Sequence, residues 1–156
     1  ALDLLGRKVL GDQAQALLLF TKQLHQLCKA IEESKNTELV SLANTLKPYC
    51  KEWPQLAQQV GMKALQDHEE VGAAAYDFLM YSGYVTLAFF WLKMANAATS
   101  HNETTQCEFD TNFLSAKIKT ARFYFEKILP RAQAHKASLL AAKSSLSSLT
   151  EHEWCF

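Results

Sequence analysis

Apolar side chains at Leu2, Leu5, Val9, Ala16, Phe20, Leu24, Leu27 and Ile31 recur every three or four residues, the spacing that puts them on one stripe of a helix. The pattern predicts a long first helix ending near Glu33. Ser34, Lys35, Asn36 and Thr37 then supply turn and capping chemistry, and Leu39, Leu42, Ala43 and Leu46 open a second stripe. Pro48 and Pro54 interrupt it. Proline removes a backbone donor and disfavours helical geometry in the residue before it, so a kink or break is expected between Lys47 and Trp53, with helix resuming through Leu56, Val60 and Ala64. A third helix, the most apolar, is predicted from about Glu69 to Ala98, with Val71, Ala74, Phe78, Val85, Ala88, Phe89, Leu92 and Ala95 facing inward. After the polar stretch Thr99 to Asp110, the Asp110 side chain can cap a fourth helix carrying Phe113, Leu114, Ile118, Ala121, Phe125 and Ile128. Pro130 kinks or ends that helix, and a last run passes through Leu139, Leu140, Leu146 and Leu149. No segment alternates as a strand does, and there is neither a glycine-rich loop nor a repeat. The expected architecture is all-α: one domain over residues 1–156, an up-and-down four-helix bundle with kinked second and fourth helices.

With 156 residues, 49% of them apolar, one core is large enough to fold without a staple. Sixteen basic and sixteen acidic residues cancel, so no overall field favours nucleic acid or an anionic membrane. The charge is nonetheless segregated. Between Thr111 and Leu149, seven cations (Lys117, Lys119, Arg122, Lys127, Arg131, Lys136 and Lys143) face Glu126 alone, a net +6 that leaves −6 elsewhere. The two parts are expected to attract each other. Cys28, Cys50, Cys107 and Cys155 fall in no CxxC or zinc-finger spacing, which favours reduced thiols. The opening residues carry no basic stretch ahead of an apolar core, and the best apolar run, Gly83 to Leu92, is shorter than the ~20 residues that span a bilayer. A cytoplasmic chain without a membrane span is expected.

Candidate chemistry is sparse. Asp67, Glu69 and Glu70 cluster at a helix boundary, where acids favour the positive end of the following helix, so a solvated helix start is preferred to a catalytic pair. A two-metal bundle site needs Glu-x-x-His pairs, and none of His25, His68, His101, His135 or His152 has Glu three positions before it. No cysteine lies in a nucleophile signature. Phe123, Tyr124 and Phe125 amid cations could suggest base stacking, but three consecutive residues point to different sides of a helix, and Phe125 belongs to the apolar stripe. Nucleic acid is therefore not expected, and Arg122 or Lys119 is assigned to acidic residues of this chain or of another domain.

Two blocks go beyond a generic bundle. The first is the opening, Ala1 to Leu10; the second is Tyr76 to Ala95 paired with Ala116 to Pro130, with a glycine at Gly83, Trp-x-x-Met-Ala at Trp91 to Ala95 and an aromatic run ending at Leu129-Pro130. In order and spacing they resemble the C-terminal extension of acyl-CoA dehydrogenases, in the branch similar to 3-methylmercaptopropionyl-CoA dehydrogenase. The resemblance implies a parent enzyme that removes an α-proton from an acyl-CoA thioester while the β-hydride passes to FAD, using a glutamate in a Tyr-Glu-Gly-Thr segment. That segment and the flavin-shielding β-domain are not in these 156 residues. No catalytic, cofactor-binding or metal residue is therefore assigned here, and FAD is expected in the parent only.

The residues expected to matter are structural or interfacial: Gly83, Trp91, Met94, Arg122 and Phe125. Glycine within a helix costs about 1 kcal/mol relative to alanine, so Gly83 is read as a point of close helix approach. The expected partners are the catalytic domains of the parent, a homo-oligomer with acyl-CoA as its substrate. The alternative is a free-standing helical module that binds another protein in an apolar groove.

Overall fold

The computed structural model describes residues 1–102, 109–141 and 143–154. All regular structure among them is helical. A π-helical segment, Asp3–Leu10, leads into α1 (Gln15–Glu32), α2 (Thr37–Leu46), α3 (Tyr49–Ala64), α4 (Glu69–Asn102), α5 (Thr111–Phe123) and α6 (Arg131–Leu140). Two short helices, Ser144–Ser147 and Glu151–Trp154, follow. These six main helices take the place of the four expected from the sequence.

The first difference lies near the N-terminus, where the single long helix is two. Gln13 and Ala14 have φ of 56° and 61°, a left-handed turn that ends one helix and starts the next with a new phase. The N–H of Gly11 bonds back to the carbonyl of Gly6 at 3.0 Å, five residues away as in a π-helix. A Cβ at Gly11 would lie 2.3 Å from the Arg7 carbonyl oxygen, so the turn requires glycine there. Because of the change in phase, Leu5, Val9, Leu24 and Ile31 are buried as expected, whereas Leu2 and Ala16 are exposed and Phe20 and Leu27 are half-buried.

Asn36 caps α2 by accepting a 3.0 Å hydrogen bond from the Leu39 N–H. The chain passes from α2 to α3 through Lys47 and Pro48, with Pro48 before the first turn of α3, a position where its missing donor would have been unpaired anyway. Pro54 stands inside α3, which continues past it to Ala64. Asp110 caps α5 through the Asn112 N–H at 3.1 Å. α5 then runs into a π-helical turn, Tyr124–Ile128, and Pro130 stands at the head of α6.

α4 is the central element, packing against α2, α3, α5 and α6. Val71, Ala74, Phe78, Val85, Ala88, Phe89, Leu92 and Ala95 are all buried, as is Tyr81, which the periodicity did not single out. Over Glu69–Ser100 the helix is long and apolar enough by composition to cross a bilayer, a length that the run Gly83 to Leu92 by itself understates. Phe20 seals one side of the core, with its ring edge-on to Trp53 (5.9 Å) and Phe89 (5.5 Å). Three predicted core positions in the second half differ. Phe113 is exposed and stacks on Phe109, and Leu146 and Leu149 are exposed.

Candidate interaction surface

The segregated charges meet across helix boundaries. Glu52 of α3 receives Lys136 and Gln133 from α6 and the Tyr81 hydroxyl from α4, the last at 2.7 Å. Burial pushes the Glu52 carboxyl up, but the hydrogen bonds from Lys136, Tyr81 and Gln133 outweigh it and hold the group below the usual range. Beside this knot, His135 Nδ1 lies 2.7 Å from Asp77 Oδ1, and its ring stacks on Tyr84 at 5.7 Å. Lys143 bridges Asp67 and Glu69, so the acidic cluster anchors the segment after α6. Those hydrogen bonds to Lys143 lower Asp67. Lys63 Nζ closes the end of α6 by donating to the Leu140 carbonyl at 2.8 Å. These carboxylates are occupied in holding helices together.

Cys28 and Cys50 are buried and free; interaction with the Cys50 thiol, together with burial, pushes the Cys28 thiol up, and the same interaction pulls Cys50 down. Cys107 and Cys155 lie outside the described residues. No three His, Cys, Asp or Glu side chains converge on a metal-sized site among the described residues.

The expected interface residues fall in three places. Phe125 is buried and lines a groove of about 410 Å³ between α2 and α5, together with Arg122, which reaches Glu38 at 3.6 Å. Trp91 is half-buried and lies 6.4 Å from the Tyr124 ring, with the Lys117 ammonium over its face at 5.9 Å. Lys117 also covers Phe113 at 5.0 Å. Met94 is exposed at the edge of a 280 Å³ apolar recess with Phe113 and Lys117.

Gly83, expected at a close helix approach, has no such neighbour among the described residues. It is exposed, and a Cβ built on it meets no atom within 4 Å. No helix among the described residues crosses there. Instead Gly83 sits in an outward apolar stripe on α4 that the inward-facing pattern had hidden, with Tyr76 61%, Leu87 51% and Phe90 46% exposed. A helix apolar on all sides belongs in an interior. Among the described residues, this stripe of α4 is left uncovered.

The grooves fit a flavin poorly. Two of them are about 460 Å³ each. One has an apolar wall of Leu10, Leu18 and Met62 rimmed by glutamines, and the other is polar, around Asn36, Asn96 and Ser100. Neither joins a slot for a flat ring to convergent donors for a pyrophosphate, so no redox step is derived for these residues.

A protein-family model described as acetyl-CoA dehydrogenase C-terminal like matches residues 20–150. No curated protein and no solved structure matches the chain.

Proposed function

The chain belongs to the acetyl-CoA dehydrogenase C-terminal like family, and from that premise we propose that it is the accessory C-terminal domain of an FAD-dependent acyl-CoA dehydrogenase. The branch is the one resembling 3-methylmercaptopropionyl-CoA dehydrogenase. The parent carries out α,β-dehydrogenation of an acyl-CoA thioester in the cytoplasm, and its catalytic domains supply the base and hold the flavin. The helical domain contributes packing, on the catalytic body or on a neighbouring subunit. The observation that carries this reading is the family match over residues 20–150; the uncovered apolar stripe of α4 supports the packing role.

The test assays the chain in parallel with the longer protein that includes its upstream region, using an artificial electron acceptor and a panel of acyl-CoA thioesters. The longer protein is expected to purify yellow and to turn over, and the 156-residue chain to do neither. Flavin retention and turnover by the chain alone overturn the accessory role. An upstream region without a dehydrogenase body, or an inactive longer protein, overturns the family-derived activity and leaves a helical interaction module.

A further inference from the structure

We propose that Cys28 and Cys50 are a peroxide-responsive pair: oxidised, they join in a disulfide that locks α1 onto α3, and a thiol reductant releases it. The proposal concerns these two helices alone and is independent of the dehydrogenase reading.

The packing of the helices sets the thiols against each other. α1 and α3 run antiparallel: Glu32 at the end of α1 receives Lys47, just before α3, at 2.5 Å, while Phe20 in the first half of α1 meets Trp53 further along α3, with ring centres 5.9 Å apart. Cys28 lies between Phe20 and Glu32, and Cys50 between Lys47 and Trp53. Cys28 stands one turn from Glu32, and Cys50 one turn from both Lys47 and Trp53, so each cysteine shares a face with residues that reach the other helix. Both are buried in the core that α1 and α3 share, Cys28 fully and Cys50 with 7% exposure. A single buried cysteine serves as a small apolar residue. Two opposed across one helix interface, beside a lysine, form a dithiol.

The surroundings divide the roles. Interaction with Cys28, and after it the backbone and the Lys47 ammonium, lowers the Cys50 thiol against the cost of burial. The thiolate, which is the reactive form, therefore belongs to Cys50, and Cys28 holds the proton. Its sulfur attacks a peroxide oxygen. An S–O bond forms, the O–O bond breaks, and the hydroxide released leaves as water with the proton that Cys50 gave up. Cys50 is then a sulfenic acid. The Cys28 sulfur attacks the Cys50 sulfur; the S–S bond forms, the S–O bond breaks, and a second water leaves with the Cys28 proton. The two thiols lose two hydrogens, and the peroxide is reduced to water. The link closes a loop that holds all of α2, which restricts the unfolded chain and so stabilises the folded one.

The test uses the full chain carrying Cys107→Ser and Cys155→Ser, so that Cys28 and Cys50 are its only thiols. After hydrogen peroxide is added to the folded protein, thiols titrated in denaturant should fall from two to none. A digest without reductant should contain one peptide pair, joined from Cys28 to Cys50 within a monomer. The urea midpoint should rise on oxidation and return with dithiothreitol. With Cys28→Ala added, Cys50 should be trapped as a sulfenic acid by dimedone, whereas with Cys50→Ala added Cys28 should stay unlabelled. If either alanine variant does not fold, the peptide map and the midpoint of the two-thiol chain decide alone. Two thiols that persist in the folded chain at a peroxide level that oxidises the denatured one overturn the proposal. So do a link between chains, a Cys50 sulfinic acid without the disulfide, or an oxidised chain no more stable than the reduced one. Dimedone labelling of Cys28 in place of Cys50 overturns the assignment of the reactive thiolate.

Discussion

Tyr81 donates a 2.7 Å hydrogen bond to Glu52, joining the middle of α4 to α3 at a tyrosine with no solvent exposure. Burial, together with the hydrogen bond to Glu52, pushes the Tyr81 hydroxyl far above its usual range, so it stays a donor. Removing it as Tyr81→Phe leaves Glu52 with Lys136 and Gln133. A hydrogen bond to a charged group contributes about 1.5 to 3 kcal/mol, and the loss in urea unfolding should fall at the lower end because two partners remain.

The same carboxylate makes stability depend on pH. The folded value for Glu52 lies below its ordinary 4.5, so its contribution is fully present above the unfolded value and is lost as pH falls through the lowered one. The gap in unfolding free energy between the wild-type chain and Glu52→Gln should be constant near neutrality and shrink in acid below pH 4.5. A gap that widened as pH fell would show that the ion pair with Lys136 does not govern this group.

The N-terminal turn offers two opposed substitutions. Gly11→Ala places a Cβ 2.3 Å from the Arg7 carbonyl oxygen, and the backbone must move; a loss of about 1 to 3 kcal/mol is expected from overpacking. Ala14→Gly relieves a left-handed alanine, φ 61°, whose conformation costs roughly 1 to 2 kcal/mol, although the freer unfolded chain returns part of the gain. Chemical denaturation should place the first variant below the wild-type chain and the second above it.

Phe20→Ala tests the aromatic seal over Trp53 and Phe89. A fully buried phenylalanine would lose about 3 to 5 kcal/mol, but Phe20 is only half-buried, so about 2 to 3 kcal/mol is expected. Trp53 fluorescence should shift with it, since the two rings are 5.9 Å apart. An effect below half of that range, with unchanged fluorescence, would remove Phe20 from the core boundary.

The all-helical class, the inward face of α4, the caps at Asn36 and Asp110 and the attraction between acidic and basic segments were legible in the sequence, because each follows from side chains a few positions apart or from net charge. The split of the first helix was not. A three-or-four periodicity runs through Gly11 to Ala14 without signalling the left-handed turn, which the backbone adopts so that Leu5 and Leu24 can both reach the core. Nor could periodicity find the Glu52 knot, since Tyr81, Gln133 and Lys136 meet it only once α3, α4 and α6 are packed. Gly83 shows the division most clearly. The sequence singled out a glycine that a helix would not choose for itself, but only the tertiary structure decided that it faces outward, because which side of an all-apolar helix is covered depends on where the other helices come to rest.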